Sequence, residues 1–175
     1  MRSFMSLSRE SNSFVEAIHS KLIEPLLLEQ KVAELRAQDY SIATLNGSFD
    51  LMHAGHLEMI YQASKQADQL ILALNTDQSI KAYKSPLRPI IPLEFRLQMM
   101  AALEMVDYVT WFDEVDPCHI LSVIKPDVHV NGVEYGENCI EADVVRSFGG
   151  KIHIAALVPG LSTSQIIKKI IQTCV

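Results

Sequence analysis

After Tyr40 the chain settles into one repeated alternation. Short, nearly continuous apolar runs at 42–45, 70–74, 108–112, 128–130 and 152–157 are separated by longer amphipathic stretches at 53–66, 93–105, 118–124, 140–147 and 163–171. Runs this short and this apolar predict strands buried on both faces, and the stretches between them predict helices. Such an alternation folds as a parallel sheet with helices on both faces and right-handed crossovers. The expected fold class is therefore α/β, with about five parallel strands. In such sheets ligands bind beyond the carboxyl ends of the strands, where the strand order reverses.

The first apolar run ends in Asn46-Gly47-Ser48-Phe49-Asp50-Leu51-Met52-His53-Ala54-Gly55-His56, just before the first long helix of the alternation. A strand-to-helix turn aims the free N–H groups of the helix above the sheet, which suits an anion such as phosphate. Gly47 and Gly55 fit a place where backbone approaches a ligand closely. His53 and His56 lie three residues apart at the helix start, so one face of the first turn carries both. Zinc held by these histidines and Asp50 is a rival reading, but zinc-protease helices space their histidines four apart around a glutamate, and here Ala54 and Gly55 intervene. A purely local role for two helix-start histidines is another. Neither G-x-G-x-x-G nor G-x-x-x-x-G-K-[ST] is present, which removes the common dinucleotide and kinase-type phosphate loops.

The 175 residues, 49% hydrophobic, fill one domain. A formal net charge of −6 argues against a general nucleic-acid binder. A phosphate ligand then needs a local basic cluster. Lys81, Lys84, Arg88 and Arg96 supply one, around a loop stiffened by Pro86, Pro89 and Pro92. Cys118, Cys139 and Cys174 are widely separated, so neither a zinc ribbon nor a disulfide framework is indicated, and reduced thiols are expected. No apolar run approaches the roughly 18 residues that cross a bilayer, and no basic-then-apolar leader opens the chain. A soluble, cytoplasmic protein with no membrane partner is expected. Residues 1–13 are Ser-rich and read as a frayed leader. Phe14, Ile18 and Leu22 then recur at helical spacing, Pro25 interrupts, and Leu28, Val32 and Leu35 mark one face of a second helix. An N-terminal helical extension over 1–40 is thus expected to cover a domain spanning 41–175. Leu26-Leu27-Leu28 offers apolar surface through which a homodimer would form.

The order Gly47-x-Phe49-Asp50-x-x-His53-x-Gly55-His56 resembles the signature of the cytidylyltransferase-like nucleotidyltransferases. The resemblance implies a Rossmann-like α/β fold whose two histidines contact a nucleoside triphosphate as its α-phosphate is attacked and pyrophosphate leaves. Asn75-x-Asp77, Lys81, Lys84, Arg88-Pro89, Pro92-Leu93-Glu94-x-Arg96 and Ser162-Thr163-x-x-Ile166 extend the likeness to the adenylyltransferase half of bacterial ADP-heptose synthesis proteins, over about 41–170. No sugar-kinase half precedes this stretch, so a stand-alone transferase is expected. The implied substrates are ATP, or another nucleoside triphosphate, and a sugar phosphate.

On this reading His53, His56, Lys84 and Arg88 are catalytic. Asn46, Gly47, Ser48, Phe49, Asp50, Gly55, Asn131, Gly132, Ser162 and Thr163 contact the nucleotide, and Asp77, Lys81 and Arg96 contact the sugar phosphate. Ser162-Thr163-Ser164 also reads as a helix N-cap, a role compatible with phosphate binding. Mg²⁺ would bridge the triphosphate, with no protein side chain assigned to it. Some positions depart from the pattern. Asn131 stands where the heptose enzymes usually show lysine, Ser85-Pro86 replaces a glycine-containing pair, and Ser48 stands where cysteine is common. A glycerol-3-phosphate cytidylyltransferase is the alternative, similar at the first motif and at 160–164, although Leu157-Val158-Pro159 occupy the place where that branch carries a basic residue. Non-enzymatic alternatives are a nucleotide-binding regulatory module and an interaction protein organised by the N-terminal helices.

Overall fold

The computed structural model describes residues 14–156, 160 and 162–174. The leader over 1–13 and the segment 157–159, with the end of the last expected strand, lie outside the described residues. Five strands, β1 (Ile42–Gly47), β2 (Gln69–Asn75), β3 (Tyr108–Phe112), β4 (Val128–Gly132) and β5 (Lys151–Ala155), form one sheet in the order β3-β2-β1-β4-β5. Every neighbouring pair is parallel. The chain builds outward from β1 to β3, then crosses back to lay β4 on the other side of β1. The reversal therefore falls between β1 and β4, and the strand-to-helix turn of the first motif sits beside it.

Side-chain alternation along the buried strands decides which helix packs where. Leu70, Leu72 and Leu74 point to one face with Ala43 and Leu45, where they meet Ile60 and Ala63 of α3 (Ala54–Ser64) and Leu97 and Met100 of α5 (Leu93–Ala101). Ile42, Ile71 and Ala73 point to the other, against Leu28, Val32 and Leu35 of α2 (Leu28–Ala37) and Ile120 and Ile124 of α6 (Cys118–Ile124). Each fully buried Leu or Ile contributes about 1.5–3 kcal/mol. The short α7 (Ala142–Ser147) leans on β5. Gly150 permits this approach, because a Cβ there would collide with the Val145 side chain of α7 as well as with the Pro126 carbonyl oxygen.

β3 and α6 have the bounds that the apolar pattern predicts. β1, β2 and β4 run past their apolar runs into Asn46-Gly47, Asn75 and Asn131-Gly132. Backbone pairing continues there, Asn46 opposite Ala73 and Asn131 opposite Ile154, while the side chains turn polar at the mouth of the sheet. The helix expected to end at 105 ends at Ala101, and α8 (Thr163–Cys174) runs three residues beyond its expected end at 171. The stretch read as a basic loop opens instead with a helix, α4 (Asp77–Tyr83). Thr76 caps it, its hydroxyl oxygen accepting from the Ser79 N–H at 3.2 Å. Of its side chains only Ser79 and Ile80 are buried, so no apolar period marks it.

The N-terminal segments share this core. Ile18 of α1 (Phe14–His19) joins the first cluster, and α2 covers the second. Between them the chain runs along the open edge of β3, with the Ile23 N–H donating to the Val109 carbonyl and the Val109 N–H to the Lys21 carbonyl, each at 2.9 Å. That contact covers an edge strand that would otherwise offer free ladder groups. Among the described residues no helix is long and apolar enough to cross a membrane.

Candidate active site

The turn after β1 is held in an unusual shape. Phe49 and Leu51 both adopt left-handed backbone, at φ 46° and 52°, which costs a non-glycine residue about 1–2 kcal/mol. What compensates is the burial of the Phe49 ring and the engagement of Asp50, only 1% exposed. The Asp50 carboxylate accepts from Arg88 Nε at 2.7 Å and from the Ile90 and Ile91 N–H groups at 3.0 Å, and it lies 2.6 Å from Arg88 Nη2. Burial raises the Asp50 pKa, but these N–H groups and the guanidinium outweigh it and hold the carboxyl below its usual range. The Thr163 hydroxyl, at the start of α8, donates to the Asp50 carbonyl at 3.3 Å. Asp50 thus clamps the first turn to the loop before α5 and to α8. Its carboxylate is committed to Arg88 and the backbone, and among the described residues no three His, Cys, Asp or Glu side chains converge on a metal position.

His53 caps α3. Its Nδ1 accepts from the Gly55 N–H at 3.1 Å, and the His56 Nδ1 accepts from the His53 N–H at 3.3 Å. A backbone N–H can only donate, so each neutral ring carries its lone pair on Nδ1 and its proton on Nε2. The ring centroids lie 4.0 Å apart. Burial lowers the His53 pKa, and burial together with His53 and Lys84 lowers that of His56 to about 4. The first turn of α3 therefore offers two neutral imidazoles whose remaining groups are Nε2–H donors, while the His53, Gly55 and His56 N–H groups are taken up within the turn itself.

Arg96 is where the structure corrects the sequence reading most clearly. Expected to touch substrate, it is 0% exposed and faces inward. Its Nη1 donates to the Ser48 carbonyl at 2.6 Å and the Asn75 carbonyl at 2.9 Å, its Nε to the Ile91 carbonyl at 2.9 Å, and its Nη2 to Asp77 at 2.7 Å. One guanidinium thus ties the ends of β1 and β2 to the loop before α5, with the partly exposed Asp77 as its counter-ion. Lys81 is exposed on α4 and lies outside the cleft wall. Four basic residues close in sequence are divided by the fold: Arg96 is internal, Arg88 is paired with Asp50, Lys81 faces outward, and Lys84 alone reaches the cleft.

That cleft, about 430 Å³, opens at the carboxyl ends of β1 and β4. It brings together Asn46, Gly47, Ser48, Phe49, His56, Lys84, Asn131 and Gly132 of the expected residues. Lys84 Nζ donates to Ser48 Oγ at 2.9 Å across it. Burial and the neighbouring Arg88 push the Lys84 ammonium pKa down. At Gly47 a Cβ would meet the Phe49 ring at an ordinary 3.5 Å, so any demand for glycine comes from a ligand. Ser162 caps α8 by accepting from the Gln165 N–H at 3.2 Å. The sequence reading missed Glu141, Tyr83 and Asp116, which also line the cleft. They occupy separate connections that only the folded sheet brings together, and no spacing links them.

A doubly wound sheet with two imidazole donors at the start of α3 and a lysine across the cleft suits a phosphate-bearing ligand at the switch point. Residues 44–169 match the cytidylyltransferase-like family, and the chain belongs to that family. It is 38% identical over 154 residues to the bifunctional protein HldE of Trichlorobacter lovleyi, covering 87% of this chain and 31% of that protein. It is 43% identical over 141 residues to that of Methylobacillus flagellatus, covering 80% and 29%. The chain thus spans less than a third of the length of these curated relatives. The solved lipopolysaccharide core biosynthesis protein of Thermoplasma volcanium shares the fold, with a TM-score of 0.54 at 24% identity over 68% of this chain and 97% of that one.

Proposed function

We propose that this nucleotidyltransferase transfers AMP from ATP to a heptose 1-phosphate, releasing pyrophosphate and forming an ADP-heptose for lipopolysaccharide core synthesis. The observation that carries the reading is the pair of Nε2–H donors at the start of α3, with Lys84 across the cleft. The similarity to HldE proteins supports the choice of nucleotide and sugar.

A sugar phosphate is largely a dianion at neutral pH, its second pKa being about 6, so the reaction needs no general base. One of its oxygens attacks the α-phosphorus. The bond from that phosphorus to the bridging oxygen breaks, and pyrophosphate leaves with the electron pair. What the protein supplies is alignment and charge stabilisation. His53 and His56 donate to the phosphates, Lys84 bears on the charge growing at the α-phosphate, and Arg88 adds field while fixing the loop through Asp50. Ser162 and Thr163 present the start of α8 to the triphosphate. Mg²⁺ bound together with the triphosphate would neutralise part of its charge. A cytoplasmic setting suits these substrates. The exposed Phe14, Val15, Leu26 and Leu27 support a homodimer through the N-terminal helices, which sedimentation of the full chain tests.

ATP, CTP and GTP assayed against heptose 1-phosphate and glycerol 3-phosphate, with pyrophosphate as readout, test the function. ATP with heptose 1-phosphate is the expected productive pair. Preference for CTP with glycerol 3-phosphate would replace this reading with the cytidylyltransferase one. Tight nucleotide binding without pyrophosphate release would favour a regulatory module.

A further inference from the structure

Lys84 reaches the cleft, and no opposite charge holds it there. Among the described residues no carboxylate pairs with it, since Asp50 is taken by Arg88 and Asp77 by Arg96. An ammonium on a flexible four-carbon stem has many positions open to it unless something fixes it. Tyr83, the residue before it at the end of α4, does so in two ways. The ammonium lies over the Tyr83 ring, with Nζ 5.5 Å from the centroid, within the range of a cation–π contact. It also donates to Ser48 Oγ at 2.9 Å. An ammonium cannot accept a hydrogen bond, so the Ser48 hydroxyl proton is left for another acceptor. That acceptor is the Tyr83 phenol oxygen: burial raises the Tyr83 pKa, and the bond from the Ser48 side chain works against the rise, as a donor to the phenol oxygen must.

The phenol donates in turn to Asn75 Oδ1, at a long 3.5 Å. Asn75 Nδ2 donates to Ser79 Oγ at 3.0 Å, and the Ser79 hydroxyl donates to the Glu114 carbonyl at 2.6 Å. Each hydroxyl in this series accepts on one side and donates on the other, and the last acceptor is main chain of the β3–α6 connection. Asn75 is 4% exposed and Ser79 1%, so the series is fixed in the interior and ends in the cleft at Lys84. We infer that Tyr83 is a positioning residue, holding the Lys84 ammonium in the cleft by its ring face and through Ser48. This rests on the reading of Lys84 as the cation that bears on the transferred phosphate. No spacing marks the role, because Ser48 follows β1, Asn75 ends β2, and only their pairing brings both beside Tyr83.

Steady-state pyrophosphate release by the full chain, with the productive nucleotide and sugar phosphate of the substrate panel, tests the assignment once kcat and KM are separated. Tyr83→Phe keeps the ring face and loses the hydroxyl. Its kcat should fall about three- to tenfold, the effect of one hydrogen bond. Either KM should change less than about twofold, because the loss falls on charge that develops during transfer. Tyr83→Leu loses the ring face too and should fall further. In a Lys84→Ala background, followed by single-turnover release with enzyme in excess, both substitutions should alter the rate less than about twofold, since the group they position is gone. An unchanged kcat in Tyr83→Phe, a loss carried by KM, or a full loss persisting in Lys84→Ala would overturn the assignment. The Lys84 ammonium proton resonance of the unliganded chain, sharp while the ammonium is held, reads position without turnover. It should broaden in Tyr83→Phe, and an unaltered resonance would also overturn the assignment. Broadening in Tyr83→Phe where the wild type releases no pyrophosphate would uphold the positioning role while sinking the transferase reading.

Discussion

The two ends of the cleft are built on opposite plans. At the α3 end nearly every polar group is already spoken for: Asp50 holds Arg88 and two backbone N–H groups, Arg96 makes four bonds, and both histidines have Nδ1 committed to backbone. At the β4–α7 end Glu141 bonds only the Asn131 and Cys139 side chains, with no cation beside it, and at the end of β1 the buried Asn46 Oδ1 has no partner among the described residues. The contrast follows from what each end must do. Where charge develops during transfer, donors must be fixed beforehand, because reorganisation would add to the barrier.

The strongest way to break this comparison is to loosen the rigid end. Arg96→Ala should destabilise the fold by about 3–5 kcal/mol, because three carbonyls and a carboxylate lose a buried charged partner. Arg96→Lys should recover only part of that, lacking the fork. Denaturant unfolding of both variants measures it, and a loss below about 1 kcal/mol would show that Arg96 does not organise the loops.

His56→Ala separates chemistry from structure. Turnover should fall about 100-fold or more, while stability changes by about 1 kcal/mol, the value of one capping bond. Steady-state pyrophosphate release beside a denaturation curve gives both numbers, and equal turnover would remove His56 from the mechanism.

Acid sharpens the comparison. Burial, with His53 and Lys84, brings the His56 pKa to about 4, and burial alone does the same to His129, whose Nδ1 lies 2.8 Å from Thr44 Oγ1 beneath the cleft. The unfolded rings take protons near pH 6.5, so between there and pH 4 the unfolded state binds more protons and stability rises with pH. Stability from these rings should be complete above about pH 6.5, decline as pH falls toward 4 and level off below, by about 3 kcal/mol for the fully buried His129. Imidazole proton shifts followed against pH check the two values. The smallest effect is expected at Lys81, where Ala should alter either KM less than about twofold because the side chain faces solvent. A larger change would bring Lys81 back to the substrate.

What could be read before folding divides along the same line. The β1–α3 motif is one contiguous stretch whose chemistry and placement come from local spacing, and the structure puts it at the switch point. α4 went unread because its burial falls on Ser79 and Ile80 alone, too little for a period. Arg96 was misread because a basic residue near a phosphate motif resembles a ligand contact. Its four partners come from the ends of two strands, a loop and α4, so nothing local distinguishes it. Glu141 lies ten residues from Asn131 and 88 from His53, and carries no motif.

By itself, then, the sequence determined the α/β alternation, the strands' burial on both faces, and the strand-to-helix turn with its two histidines. Those properties depend on periodicity and on neighbours within one helical turn. Tertiary structure alone decided which of four basic residues faces the cleft, which tautomer the histidines hold, and that a buried carboxylate closes the far wall. Each of these depends on which backbone groups from distant segments arrive beside a side chain, and only the strand order β3-β2-β1-β4-β5 sets that.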